Sequence, residues 1–269
     1  MRHTVTAIIQ ARMTSTRLPG KVMLEVLGKP LLYYLIERLQ STASIGDIIL
    51  TTTVNAQDDS VAKLGSALGI DIFRGSENNV LSRYYEAAKT FGAKHIMRIT
   101  ADCPLIDPDM LDKLVKFYFK NGFDFACNCN PPTLPDGLDA EIFTFQALEH
   151  AHEHAIRPSC LEHVTTYIRN HPNAFSLGSW SYPKNLSFLR WTVDEPDDFV
   201  LIKKIIEALY PLKKEFRFED ILNLLKQQPE LIKINTHINR NEGFLKSLEE
   251  DQYHRISESN NKHRNAFAQ

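Results

Sequence analysis

The sequence predicts an α/β protein built on a mostly parallel sheet covered on both faces. Short apolar, β-branched runs alternate with segments of 10 to 15 residues whose apolar positions recur at helical spacing, the pattern of successive βαβ units. The composition agrees: 43% apolar and 24% charged among 269 residues is that of an ordinary globular chain, which excludes disorder throughout.

The elements follow in order. Thr4–Gln10 (TVTAIIQ) reads as a short buried strand leading into a polar, basic loop. Pro30–Thr42 is helical, with Pro30 suited to a first turn. Asp47–Val54 (DIILTTTV) is a strand, Gln57–Leu68 a helix stopped by Gly69, and Ile70–Phe73 a short strand. Asn79–Phe91 is helical, Ala93–Thr100 extended, Asp109–Asn121 helical and closed by Gly122, and Phe123–Asn128 extended. Asn130–Leu138 (NPPTLPDGL) breaks the pattern with three prolines and a glycine, as a linker or an excursion would. Extended structure resumes at Asp139–Phe145, followed by helices at Phe145–Ala155 and Ser159–Asn170. Leu186–Val193 (LSFLRWTV) reads as a late strand, and Asp194–Leu209 and Phe218–Gln228 as helices. One domain over residues 1–250 results, with an inserted arm at about 130–175 and a polar tail, 251–269, expected to be disordered.

Charge and cysteine content narrow the function classes. With 31 basic and 33 acidic residues the net charge is −2, which excludes a global polycation for nucleic acid, so phosphate binding must come from a local cluster. No apolar run approaches a membrane span, and the N-terminus lacks a signal peptide's long apolar stretch. Cys103, Cys127, Cys129 and Cys160 are too few for a disulfide framework, and a reduced, cytoplasmic protein is expected. His150 and His154 lie one helical turn apart, but the run EHAHEH is not H-E-x-x-H and reads as a solvated helix face.

In parallel sheets ligands sit beyond the carboxyl ends of the strands, where the loops after Gln10, Phe73 and Thr100 lie. The first loop, within Ile8–Lys21 (IIQARMTSTRLPGK), gathers Arg12, Arg17 and Lys21 with the hydroxyls of Ser15 and Thr16 and a Pro-Gly pair. Arginine forks offer paired donors to phosphate oxygens, a glycine turn lets backbone N–H groups approach an anion, and lysine adds a compact charge. The competing reading is an ordinary solvated basic loop. It is not a P-loop, because Val22 follows Gly20-Lys21 and no glycine stands five residues earlier.

The run A-R-x-x-S-x-R-L-P-G-K at Ala11–Lys21 resembles the signature loop of the cytidylyltransferases that make CMP-activated sugars. It is most similar to the branch called spore coat polysaccharide biosynthesis protein F, with the CMP-N-acylneuraminate and CMP-Kdo synthetases as relatives. The resemblance covers about Thr4 to Leu209. It implies a Rossmann-like three-layer α/β/α nucleotide-diphospho-sugar transferase fold, a loop wrapped around the triphosphate of CTP, and a homodimer built through the arm.

The carboxylates gain meaning beside it. Asp102, in TADCP, follows a strand; alone it would read as a turn former, but it resembles the metal-binding Asp of the family's A-D-x-P-L-I segment. Asp107-Pro108 reads as the start of the next helix. In WTVDEPDD, Glu195–Asp198 is a good helix start, whereas Asp194 resembles the second metal carboxylate of the V-D-x-P-x-D segment. Asp102 and Asp194 are therefore expected to share Mg²⁺. Asp139 and Glu141 alternate along an expected strand, and the resemblance places them, with His163 of the E-H-V-T run, beside the acceptor sugar. Gly75, Asn79 and Arg83, in RGSENNVLSR, match a recurrent D/N-V-L-x-R run near the base, although Asn79 could equally be a helix cap. Arg98 reaches a phosphate or braces the sheet edge.

The implied reaction is Mg²⁺-dependent transfer of CMP from CTP to a sugar or sugar acid, with Arg12 and Lys21 stabilising the transition state. No strong general base stands out. Rivals are a nucleotidyltransferase for another NTP, a glycosyltransferase (whose internal D-x-D is not found at a strand end), and an inactive nucleotide-binding regulator.

Overall fold

Period two assigns each strand residue to one of two cores. The computed structural model of the protein describes residues 4–240 and 242–252. In β1 (Val5–Gln10), Val5, Ala7 and Ile9 join one apolar cluster while Ile8 joins another on the opposite face. A two-residue hairpin, β2 (Glu25–Val26) and β3 (Lys29–Pro30), precedes α1 (Leu31–Gln40). Then come β4 (Ile45–Thr53), α2 (Asp59–Ala67), β5 (Asp71–Gly75), α3 (Val80–Thr90), β6 (His95–Thr100) and α4 (Pro108–Asn121). β7 (Phe125–Cys127), β8 (Glu141–Thr144), α5 (Phe145–His154), α6 (Pro158–Glu162), α7 (Thr166–Arg169) and β9 (Leu177–Ser179) follow. The chain ends in α8 (Pro196–Leu209), α9 (Phe218–Gln227) and a helix over 242–252, α10.

The seven-stranded sheet has the order β5-β4-β1-β6-β8-β7-β9, with β8 antiparallel to its neighbours and every other pairing parallel. Helices α1, α2 and α4 cover one face, and α3, α5 and α7 the other. A third cluster packs α8 and α9 against α1 and residues 189–193 around Trp191. This is the α/β/α layering expected. Among the described residues no helix is long and apolar enough to cross a membrane.

Four expectations need correction or completion. Leu186–Val193 is not a strand. Its backbone makes single bonds to the proline-rich stretch, Leu186 N–H to Thr133 O (2.8 Å) and Trp191 N–H to Asp136 O (2.6 Å), and only one isolated bridge, Asp136 to Arg190, forms. The Ser159–Asn170 helix is broken at Val164, whose φ of 41° is left-handed and separates α6 from α7. The segment read as an arm, about 130–175, sets β8 inside the sheet and α5–α7 on one face, and the unexpected β9 closes the edge. Lastly, Asp251 is buried within α10 rather than opening a tail, while 253–269 lie outside the described residues.

Candidate active site at the carboxyl edge of the sheet

Buried Ala11 extends β1 by one bond, donating its N–H to Thr51 O (3.0 Å), before the basic loop departs. The loop is pinned from both sides. Met13 N–H donates to Asp58 (2.7 Å), Thr14 donates to Glu77 (2.7 Å), and Gly20 N–H returns to Met13 O (2.9 Å). Ser15 Oγ accepts from Leu18 N–H at 3.5 Å, a long turn contact. Gly20 has φ 70°, a conformation that glycine adopts without a Cβ penalty, and it delivers Lys21 into a short 3-10 turn facing inward.

Lys21 Nζ stands 2.7 Å from Asp102 Oδ2 and 2.7 Å from Asp194 Oδ1. Burial alone would lower its pKa, but the two carboxylates outweigh burial and raise it. Burial would likewise raise the Asp102 pKa; Lys21 overrides that and holds it at about 2. Arg17 Nη2 adds a 2.8 Å contact to Asp194 Oδ1, whereas Arg12 turns to Glu162 at 3.5 Å. The expectation of a solvent-facing loop therefore holds for Arg12 and Arg17, each about a third exposed, and fails for the buried Lys21.

Asp102 lies just past β6 as expected, but Asp194 ends an irregular segment. That segment is laid alongside Asp102 by Val193 N–H to Asp102 O (2.8 Å) and Thr192 Oγ1 to the same oxygen (3.2 Å). Glu195 and Asp198 form the capping box of α8, so Asp194 has no cap duty. Asp107, in turn, caps α4 and accepts Met110 N–H (3.1 Å) and Phe218 N–H (2.7 Å). Among the described residues no group of three or more His, Cys, Asp or Glu is placed to hold a metal. Two convergent carboxylates completed by water and phosphate oxygens nevertheless match what magnesium takes.

Asp102 and Asp194 also line a cavity of about 420 Å³ that continues to Asp136, Asp139, Glu141, Arg98, Arg169 and His163. Glu141 is 5% exposed, and its oxygens are engaged by Arg98 Nη1 (2.8 Å), Thr165 Oγ1 (2.8 Å) and, at 4.0 Å, Arg169. It thus orients two arginines. Arg98 also donates to Gln10 (3.2 Å), bracing the sheet edge. Asp139 precedes β8, so the expected alternation along one strand does not occur; both its oxygens accept from Arg240 Nη2 (2.6 and 2.7 Å). His163 meets Ser247 Oγ (3.0 Å), and burial, followed by Arg98 and Arg169, lowers its pKa to about 4.

Arg190, which the sequence reading passed over, is the hub between the two parts. Its guanidinium contacts Asp198 (2.8 Å), Asp136 (2.7 Å) and Asp194 (3.2 Å). The detectable signal was Gly137: with φ 104°, a Cβ there would stand 2.5 Å from the Trp191 carbonyl carbon, so the Asp136 and Arg190 segments pack backbone to backbone. Gly75, Asn79 and Arg83 gather at the end of β5 instead. Asn79 caps α3 by accepting Ser82 N–H (2.8 Å), and buried Arg83 donates to Ser76 O (2.5 Å), holding the turn. A Cβ on Gly75 would press on Arg83 Cγ at 3.2 Å. His150 and His154 stack at 4.2 Å on α5, and all four cysteines are free.

A sequence model of the cytidylyltransferase family matches residues 6–251. The chain belongs to that family. It is accordingly a nucleotidyltransferase, and the resemblance carried by Ala11–Lys21 is borne out. The spore coat polysaccharide biosynthesis protein SpsF of Bacillus subtilis is 30% identical over 235 residues, 83% of this chain and 94% of that protein. A cytidylyltransferase structure from Leptospira borgpetersenii superposes with a TM-score of 0.81 at 34% identity, covering 86% of this chain and 97% of that one. The CMP-2-keto-3-deoxy-manno-octonic acid synthetase complexed with CTP shares the fold, with a TM-score of 0.59 at 15% identity over 76% of this chain and 99% of that one.

Proposed function

We propose that the enzyme transfers CMP from CTP to a sugar hydroxyl with the help of Mg²⁺, giving a CMP-sugar and pyrophosphate for surface polysaccharide or glycan synthesis. The observation that carries this reading is that Asp102 and Asp194, both held by Lys21, line a sugar-sized cavity within a cytidylyltransferase fold. The polysaccharide role of the Bacillus relative supports the acceptor class.

The sugar oxygen bonds to the α-phosphorus as the bond from that phosphorus to the pyrophosphate oxygen breaks, and the hydroxyl loses its proton. Such transfer needs positioning and charge neutralisation more than covalent chemistry. Asp102 and Asp194 would hold magnesium, whose charge neutralises phosphate oxygens. Lys21 and Arg17, already at these carboxylates, are the cations nearest the transferred charge, and Arg12 extends the basic rim. Arg98 and Arg169 share a single carboxylate, Glu141, which leaves guanidinium donors to meet the carboxylate of a sugar acid. A homodimer in the cytoplasm belongs to the same reading.

Calorimetric titration of CTP, UTP, ATP and GTP with Mg²⁺, followed by pyrophosphate release with a panel of sugar acids, tests it. CTP should bind tightest and support release. Equal or tighter UTP binding would instead favour uridylyl transfer, and binding without release from any acceptor would favour a regulator.

A further inference from the structure

The far wall of the cavity comes from the end of the chain. Glu242, Gly243 and Phe244, in the first turn of α10, line the same space as Asp102 and Asp194. Four residue pairs seat this helix. Asp251 accepts the N–H (3.0 Å) and hydroxyl (2.6 Å) of Ser159, and both residues are buried. Ser247 meets His163 one turn earlier in α10, and the His163 ring stands edge-on to Phe244 at 5.2 Å. The Arg169 guanidinium lies 5.4 Å from the Phe244 ring centroid, so the aromatic face covers one of the two arginines that Glu141 engages. Just before the helix, Arg240 grips Asp139.

Resting on the cytidylyltransferase reading above, we propose that α10 is the acceptor-selecting wall of the site, with Phe244 as the specificity-determining residue and Asp251 as a positioning residue that seats it. Lys21, Asp102 and Asp194 make their mutual contacts without α10, whose ion pair toward that side among the described residues is a 3.9 Å approach of Glu242 to Arg17. Acceptor and nucleotide recognition are thereby separable. A rigid ring filling one side of the cavity limits acceptor size, and its stacking on Arg169 fixes the direction in which that cation points.

The experiment compares full-length wild type with Phe244→Ala and Asp251→Ala. CTP affinity is read by calorimetry, and pyrophosphate release is read with 3-deoxy-manno-octulosonate, N-acetylneuraminate, glucuronate and N-acetylglucosamine. Both variants should raise the KM of the best acceptor about tenfold, the scale of one lost pocket contact, while leaving CTP affinity within about twofold. Phe244→Ala should also shift the ranking of acceptors toward the bulkier sugar. A merely structural role lowers the active fraction without moving KM or the ranking. Unchanged acceptor KM and ranking in both variants, or CTP affinity falling in step with acceptor KM, overturns the proposal. A wild type that releases no pyrophosphate with any of the four acceptors overturns the cytidylyl reading and this one with it.

Discussion

On the side proposed for the nucleotide one ammonium, Lys21, holds two carboxylates; on the side proposed for the acceptor one carboxylate, Glu141, holds two guanidiniums. Taken alone, the two triads are opposite in sign. Arg17 and Arg190 add positive charge to the first through Asp194, and Asp139, paired with Arg240, lies in the same cavity as the second. Arg190 ties the two together, shared among Asp136, Asp194 and Asp198.

The comparison breaks most visibly at the carboxylates. Asp102→Asn and Asp194→Asn should each lower turnover about a thousandfold, roughly 4 kcal/mol, and move the Mg²⁺ midpoint upward. Because both face one cation position, the double variant should be little worse than the poorer single. Additive losses with an unmoved midpoint in activity-versus-Mg²⁺ curves would show that the two do not act through one ion.

Removing the central charge of each half should have contrasting consequences. Glu141→Gln leaves two arginines around a neutral amide and should cost about 3 kcal/mol of stability, which Mg²⁺ does not restore. Lys21→Ala should cost about a hundredfold in rate, near 3 kcal/mol, and should also lower the melting temperature, since Asp102 loses its cation and Asp194 keeps only Arg17 and Arg190. Here added Mg²⁺ should raise the melting temperature more than it does for wild type. Equal Mg²⁺ responses in Lys21→Ala and Glu141→Gln would erase the distinction.

The contrast also explains what the sequence could and could not disclose. The nucleotide side was legible because Arg12, Arg17 and Lys21 fall within ten residues of one loop and Asp102 directly follows a strand. The six strands expected through residue 145 exist for the same reason: each is a local sequence run, and all but β5 hold buried apolar residues. The proposed acceptor side draws on residues 98, 136–141, 163–169, 190, 240 and 242–252, joined by contacts that leave no local period. Arg190 sat inside LSFLRWTV, where apolar neighbours suggested a strand, yet its side chain and the tight contact at Gly137 hold that segment in irregular pairing. Asp194 follows an irregular segment rather than the strand expected over Leu186–Val193, and the motif alone singles it out.

The arginine pair near His163 has a pH consequence. Burial and then Arg98 and Arg169 depress its pKa from 6.5 to about 4, so the fold favours the neutral ring. A depressed folded value means stability is fully present above about pH 6.5 and is lost as the pH falls toward 4, because the unfolded chain takes up the proton first. After allowance for partial exposure, the loss is about 2 kcal/mol. Urea midpoints at pH 7 and 4.5 should fall further for wild type than for His163→Asn. A larger fall in the variant would mean that the ring is charged in the fold.

The smallest expected effect bears on whether a third region, the end of β5, recognises the base. Asn79 accepts the N–H of Ser82 as the cap of α3, a contact whose loss costs about 1 kcal/mol. If capping is its whole duty, Asn79→Ala should lower the melting temperature by that amount, and CTP affinity should stay as it was. Asn79→Asp separates the duties: it restores the cap through a carboxylate oxygen while removing the amide that could donate to a base. Restored stability with CTP affinity equal to wild type leaves Asn79 a cap alone. Restored stability with CTP affinity reduced about tenfold, the scale of a lost hydrogen bond to a charged or buried partner, assigns its amide to the nucleotide and extends the proposed nucleotide side of the site to β5.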